Sequence, residues 1–194
     1  GPLPEMGYRI IAPSRFGYLR SALPQDAFSG RQADAIVALM DHLGIGKVGV
    51  IGLSAGARSA LALSALHPER CSALIALVPA THVPGTPVPM PGAVGAAIMR
   101  YALHSDLLFW AGNRFARDRM IGTLLATDPT LLDGADPAEQ ARANAILDDI
   151  LPVSARSDGF INDARLSLDP EDISLGSITV PTLAISLQDD RFGT

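Results

Sequence analysis

Short apolar runs and helical periodicity alternate along the first 80 residues. The runs Lys47–Ile51 and Ala73–Val78 are bounded by turn-forming residues, a pattern typical of strands buried on both faces. Between them, a stretch of small apolar residues predicts a central helix that ends near His67. Apolar residues at helical spacing predict another helix from Gln32 to Leu43. The apolar run Arg9–Ala12 predicts one more buried strand.

The order of these elements predicts the fold class. Strands and helices alternate with short connections, which favours an α/β fold with a doubly wound, mostly parallel sheet covered by helices on both faces. The next strand is predicted at Thr179–Ser186, about 100 residues beyond the previous one.

The stretch between these two strands has helical patterns of its own. Helices are predicted at 94–104 and 107–119, and a third begins with a capping box and a proline at 136–139 and ends near Leu151. A helical insertion on the side where parallel strands end is a cap. We therefore predict a cap at 81–175, inserted into a core that is formed by 1–80 and 176–194.

Composition restricts the classes of partner. The chain has 194 residues, of which 48% are hydrophobic, enough for one full-sized core. The net charge of −5 gives no electrostatic reason to expect nucleic acid as a partner. No apolar run approaches the ~20 residues that cross a bilayer, so we expect no membrane partner. The single cysteine, Cys71, excludes an internal disulfide and is interpreted as a small structural residue near the start of a strand.

Both ends of the chain look cut. It begins Gly1-Pro2 without an initiator methionine, and it stops just after the last predicted strand. No signal peptide is visible, and on that basis a cytoplasmic location is expected.

The segment Gly52-Leu53-Ser54-Ala55-Gly56 matches the pattern G-x-S-x-G. A strand precedes it and a helix follows it, as required when a nucleophilic serine sits on a strained turn. The glycines leave room for the tight turn, and the backbone N–H of Ala55 points to where an oxyanion would form. The alternative is a glycine-rich turn in which Ser54 only caps the helix.

A serine nucleophile needs a base and a group that orients the base. Asp189 and Asp190 follow the strand predicted at Thr179–Ser186, at the edge of a parallel sheet where catalytic groups gather. Asp190 is the preferred orienting acid and Asp189 the second choice, and two solvated turn aspartates are the alternative.

None of the four histidines is placed to act as the base. His42, His67 and His104 are interpreted as structural or surface residues, and His82 is the first to consider should that be wrong. We therefore expect the catalytic histidine beyond Thr194, and we expect these 194 residues alone to be nearly inactive.

From Tyr8 to Ser72 the sequence resembles the α/β-hydrolase superfamily, with Ser54 on its nucleophile elbow. Val180–Thr194 resembles the seventh strand and acid loop of that family, although Ser14 stands where many members carry aspartate. The resemblance implies that the first three strands, the last strand and a second oxyanion donor lie outside this chain. Members that open epoxides use aspartate at the elbow, so Ser54 disfavours that reaction.

The resulting hypothesis is a serine hydrolase that cleaves a carboxylic ester or related acyl bond of a small molecule, with no cofactor and no metal ion. Phe109 and Trp110, with Met99 and Leu107, would line an apolar pocket roof, or would simply pack the cap on itself. A carbon–carbon bond hydrolase or a perhydrolase of the same superfamily is one alternative. A receptor that keeps the fold but has lost catalysis is another.

Overall fold

The described strands form a three-stranded parallel sheet, and its last strand is exposed at all four positions. In the computed structural model, which describes residues 2–81, 100–125, 127–168 and 173–188, the strands are β1 (Val48–Leu53), β2 (Cys71–Leu77) and β3 (Thr182–Ile185). They lie in the order β1-β2-β3, and both pairs are parallel. The parallel sheet is confirmed, and the last strand is shorter than the predicted 179–186. Burial of β1 on both faces is wrong, because Ile51 and Leu53 are exposed and none of the described residues covers them.

Two long helices precede and follow β1. After the short helix α1 (Pro2–Glu5), α2 spans Ser29–His42 and begins three residues earlier than predicted. Gly44, with a φ of +66°, follows its end, a conformation that glycine adopts without strain. Helix α3 spans Gly56–Leu66, and its residues 57–64 are all buried. The predicted central helix is therefore confirmed.

The hydrophobic core lies where α2 packs on α3 and α3 packs on the sheet. One cluster contains Ala33 of α2, Leu63 of α3 and Cys71, the buried first residue of β2. A second cluster joins Leu61 of α3 to Leu74 of β2. Small side chains on α3 allow the helix and strands to approach closely, and the larger leucines fill the remaining space.

Five α-helices lie wholly within the described residues between β2 and β3. They are α4 (Asp106–Phe115), α5 (Arg117–Leu124), α6 (Pro129–Asp133), α7 (Pro137–Asp148) and α8 (Ser157–Leu168). Residues 100–103 are also helical. All five fall within the range predicted for the cap, and the boundaries of the cap stay a prediction.

The structure differs from the helix prediction at one break, at one helix cap and in two additional helices. The helix predicted at 107–119 breaks at Ala116, whose φ and ψ of −137° and 39° are not helical. Only residues 100–104 of the helix predicted at 94–104 are among those described. Asp136 caps α7 through the Ala138 N–H, but Glu139 pairs with Arg142 instead of completing a capping box. The sequence patterns did not predict α6 and α8.

The strand predicted at Arg9–Ala12 is wrong. These residues have no regular structure and are exposed, with Ile10 exposed by 57%. An apolar run becomes a strand only when a neighbouring strand completes its hydrogen bonds, and none of the described residues pairs with this segment. Within the described ranges, no helix combines the length and apolar character needed to cross a bilayer.

Two leucines on α3 provide a test of where the core lies. Leu63 is 2% exposed and Leu66 is 58% exposed. We expect Leu63→Ala to lower the free energy of unfolding by about 2–5 kcal/mol, because it removes buried methyl groups and leaves a cavity. Leu66→Ala should change that free energy by less than about 1 kcal/mol. Equal losses in denaturant titrations of the two variants would contradict this core.

Candidate active site

Ser54 lies in the tight turn between β1 and α3. Its φ is +51°, in the left-handed region that residues with a side chain rarely adopt. The Ser54 N–H donates to the carbonyl of Leu77 at 2.9 Å, and the Ser54 carbonyl accepts from the N–H groups of Ala57 and Ala80 at 3.0 and 3.1 Å. The residue is exposed and not packed in the interior. The predicted strand–turn–helix geometry is thus confirmed, whereas a catalytic role for Ser54 stays a proposal.

The two glycines of the motif differ in how much space surrounds them. A Cβ at Gly52 would lie 2.6 Å from Ala57 Cα and equally close to Ala60 Cβ, far inside contact distance. A Cβ at Gly56 would meet only Arg15 Nε, at 4.0 Å among the described atoms. Close packing of β1 on α3 therefore requires glycine at 52, and the described residues place no such demand on 56.

The backbone N–H of Ala55 lies at the start of α3, where helix N–H groups lack partners within the helix. Of the described backbone carbonyls, none accepts a hydrogen bond from this N–H. Ala55 also lines a small cavity of about 10 Å³, together with Arg15, Ser59 and other residues. That is room for about one water molecule.

Two histidines lie at the opposite edge of the sheet from Ser54. His42 ends α2 and His67 follows α3, and both of these helices lead back to the amino-terminal ends of strands. Because α3 has 11 residues, His67 is displaced by roughly 16 Å along the helix from Ser54. His67 instead contacts Asp34, with Nε2 2.9 Å from the carboxylate oxygen. His104 is exposed in the inserted helices, and His82 lies outside the described residues.

Asp190 and Asp189 also lie outside the described residues. The strand before them, β3, ends at Ile185, whose carbonyl accepts a hydrogen bond from the Val78 N–H at 2.7 Å. Val78 directly follows β2, and Leu77 at the end of β2 binds the backbone of Ser54. The carboxyl ends of all three strands therefore meet at the edge where Ser54 lies.

The two aromatic residues predicted for a pocket roof have different surroundings. Phe109 is 3% exposed and packs with Leu103 and Val153 inside the inserted helices, which is the alternative left open for it. Trp110 is 48% exposed and makes an edge-on contact with Phe115. A role of Trp110 at a substrate pocket stays a proposal, and Met99 lies outside the described residues.

A cluster of charged and polar side chains joins α8 to the loop before α2. Arg15 donates two hydrogen bonds of 2.6 Å to the two carboxylate oxygens of Asp163, and the Tyr18 hydroxyl donates to the same carboxylate. The guanidinium of Arg15 also lies over the Tyr18 ring, 4.8 Å from its centroid. Gly17 and Gly159 allow the two backbones to touch, with a hydrogen bond of 2.9 Å from the Gly159 N–H to the Gly17 carbonyl.

This cluster changes the acidity of Tyr18. Burial raises the pKa of the Tyr18 hydroxyl well above its ordinary value of 10.0, and the negative charge of Asp163 raises it further. Tyr18 therefore stays protonated and remains a hydrogen-bond donor to Asp163 throughout the neutral range.

No pattern in the sequence pointed to Arg15, Tyr18 and Asp163, which are brought together across as many as 148 positions. One signal was available at Arg58, the only charged residue in a helix that was predicted to be central. A buried charge requires partners, so it implied that a polar group packs against α3.

A larger cavity of about 1070 Å³ lies away from the elbow. It is bounded by the loop 13–24 and by α2, with Ser14, Leu19 and Leu39 in its wall. Neither Ser54 nor Ala55 lines it, so we place the candidate site by the geometry of the elbow and not by the size of a cavity.

Comparisons with known proteins agree with this fold. A family model described as "alpha/beta hydrolase fold" matches residues 2–192. A solved structure described as an alpha/beta hydrolase fold protein from Nakamurella multipartita has a TM-score of 0.65 and 23% identity. It is matched over 93% of this chain and 66% of its own.

Curated relatives with assigned reactions also match nearly the whole chain. A 2-hydroxy-6-oxononadienedioate/2-hydroxy-6-oxononatrienedioate hydrolase of Dechloromonas aromatica is 26% identical over 98% of this chain and 63% of its own length. A 2-hydroxy-6-oxo-6-phenylhexa-2,4-dienoate hydrolase of Burkholderia cepacia is 29% identical over 99% of this chain and 64% of its own. The chain thus spans slightly less than two thirds of these relatives.

The close approach at Gly52 can be tested against another glycine of β1. In Gly52→Ala the new methyl group would overlap α3, and we expect a loss of about 1–3 kcal/mol in the free energy of unfolding. Gly49→Ala is the matched control, because its Cβ would meet only Ser72 Oγ, at 3.8 Å. Denaturant titration of both variants measures the difference, and an unchanged Gly52→Ala protein would refute the tight packing.

The raised pKa of Tyr18 predicts a pH dependence of stability. Above its ordinary pKa of 10.0 the unfolded chain releases the Tyr18 proton, whereas the folded protein keeps it. The unfolded state then binds fewer protons, so the free energy of unfolding should fall as pH rises above about 10, and Tyr18 should contribute no slope below that pH.

Tyr18→Phe should make this alkaline decline shallower than in the wild type. Tyr101→Phe, which removes a phenol that is 67% exposed, serves as the control. Thermal unfolding measured between pH 8 and 11 gives the comparison. Identical slopes for wild type and Tyr18→Phe would contradict the assignment.

Proposed function

The chain belongs to the alpha/beta hydrolase fold family, and on that premise we propose that it is part of a serine hydrolase in which Ser54 attacks the carbonyl carbon of a small-molecule substrate. The observation that carries the proposal is the turn at Ser54, exposed and left-handed with a φ of +51°. A serine that only caps a helix has no need of this conformation, because N-cap residues are typically extended.

In the proposed mechanism the Ser54 hydroxyl adds to the carbonyl and gives its proton to a histidine. The Ala55 N–H donates a hydrogen bond to the oxyanion of the tetrahedral intermediate. The leaving group takes the proton from the histidine. Water then gives a proton to the histidine and attacks the acyl-enzyme carbonyl, and Ser54 takes that proton back as it leaves. The acyl group leaves as a carboxylic acid, and Ser54 is regenerated.

Asp190 is proposed to orient that histidine. It comes five positions after the end of β3, whose carboxyl end lies at the same edge as Ser54. The histidine itself is proposed to come from outside these 194 residues, because His42 and His67 lie at the far edge of the sheet and His104 is exposed in the inserted helices. His82, which follows β2 in the chain, is the alternative to examine first.

Carboxylic esters are the primary proposed substrates. The second candidate is a carbon–carbon bond hydrolase, which is favoured by the names of relatives that match 98% or more of the chain. Those names describe dienoates with a 6-oxo group, a ketone carbonyl that Ser54 could attack as it would attack an ester.

The decisive variant is Ser54→Ala in the full-length protein. We expect the rate of hydrolysis of p-nitrophenyl acetate to fall on the order of 10⁴–10⁶-fold, because the nucleophile is lost. Labelling by a fluorophosphonate should be lost as well. Ser72→Ala, at an exposed position of β2, is the control and should keep the wild-type rate and labelling.

The choice of substrate separates the candidates. Faster Ser54-dependent turnover of a 2-hydroxy-6-oxo dienoate than of the ester would favour the carbon–carbon hydrolase. If neither compound is turned over and the wild type is not labelled by the phosphonate, the serine hydrolase proposal fails and a ligand-binding protein with this fold is the better explanation.

A further inference from the structure

Arg58 is the only charged side chain of α3, and it is 9% exposed. A guanidinium that is nearly removed from water must be paired through hydrogen bonds. Each of its three nitrogens donates one: Nε to the carbonyl of Ala80 at 2.6 Å, Nη1 to the carbonyl of Asp163 at 3.1 Å and Nη2 to Ser167 Oγ at 2.7 Å.

The acceptor of the shortest bond also contacts the elbow. The Ala80 N–H donates to the Ser54 carbonyl at 3.1 Å, while the Ala80 carbonyl accepts from Arg58. Both backbone groups of Ala80 are therefore occupied, one by the candidate nucleophile's backbone and the other by Arg58. Ala80 is a bridge between the two.

The segment that carries Ala80 has a backbone that needs such support. Val78, directly after β2, has a φ of +39°, and a β-branched residue in the left-handed region is strained. Strained residues persist only where the surroundings hold them. Here the Val78 N–H is bound to Ile185 on one side, and Arg58 holds Ala80 on the other.

On its other side Arg58 binds α8. The Asp163 carbonyl accepts from Arg58 and from Ser167 Oγ, and the Asp163 carboxylate is held by Arg15 and Tyr18. Arg58 thus contacts a part of α8 that is already fixed to the core.

We propose that Arg58 is a positioning residue for the reaction proposed above for Ser54, on which this inference rests. It clamps residues 78–81 between α8 and the Ser54 backbone. The elbow then keeps its left-handed turn, and the Ala55 N–H keeps its direction, only while α8 is docked. A displacement of a catalytic group by about 1 Å can slow a reaction about 100-fold, so the clamp acts on rate as well as on stability.

Arg70 offers a matched control. It is also a partly buried arginine that donates to backbone carbonyls, through Nε to Gly46 at 2.8 Å and through Nη2 to Ile45 at 2.9 Å, and it pairs with Asp41. It precedes β2, at the edge of the sheet opposite to Ser54. Arg70→Met should therefore weaken the fold without reaching the elbow.

The test compares Arg58→Met and Arg70→Met in the full-length protein, well below the melting temperature of each. We expect Arg58→Met to slow fluorophosphonate labelling of Ser54 by about 10–100-fold. Arg70→Met should label within about twofold of the wild type. Arg58→Lys, which can still donate to Ala80, should recover part of the rate. Should Arg58→Met fail to fold, Ser167→Ala removes one of these hydrogen bonds of Arg58 and should give a smaller slowing.

Amide hydrogen exchange provides a readout that does not depend on activity. The Ala80 amide and the amides of α8 should exchange faster in Arg58→Met than in the wild type, and at the wild-type rate in Arg70→Met. Wild-type labelling in Arg58→Met, or unchanged exchange at Ala80, would overturn the positioning role. If the wild type itself is not labelled, the proposed function fails, while exchange at Ala80 still decides whether Arg58 clamps the segment.

Discussion

The left-handed backbone of Ser54 is the constraint on which the centre of the molecule depends. A residue with a side chain in this conformation costs ~1–3 kcal/mol and persists only when its neighbours hold it. Ser54 has such neighbours on both sides: Leu77 and Ala80 bind its backbone from the adjacent segment, and Ala57 binds it from the first turn of α3. The turn is therefore a consequence of how β1, β2 and α3 pack.

The same turn dictates the composition of the elements around it. Because α3 starts directly after the turn, it crosses β1 at a distance that excludes even a methyl group at Gly52. The small residues Ala57 and Ala60, which lie against Gly52, follow from that distance, and Arg58 is the only charged residue of the helix. Its charge is tolerated because Ala80, Asp163 and Ser167 accept its hydrogen bonds. The packing of α8 on the core thus depends on the hydrogen bonds of one buried guanidinium.

The elements that were predicted correctly from the sequence are those that depend on residues close together in the chain. Strands β1 and β2, the helix α3 and the turn between β1 and α3 depend on neighbouring residues, and their patterns are clear. The strand predicted at Arg9–Ala12 failed because strand formation needs a partner that apolar character alone does not supply. The contact of Arg15 with Asp163 was missed because it joins residues 148 positions apart, one of them in a helix that the pattern did not reveal.

The direction of the chain explains the placement of the candidate catalytic groups. In a parallel sheet each helix returns the chain to the amino-terminal edge, so residues at the ends of α2 and α3 lie away from the carboxyl ends of the strands. His42 and His67 occupy such positions, and proximity in sequence to the elbow brings neither to Ser54. Residues that directly follow β2 lie instead at the carboxyl edge of the sheet. The hydrogen bonds of Ala80 to Ser54 and of Val78 to Ile185 at the end of β3 illustrate this. For that reason a carboxylate after β3 is a better candidate partner for a serine at this edge than any group on the two helices.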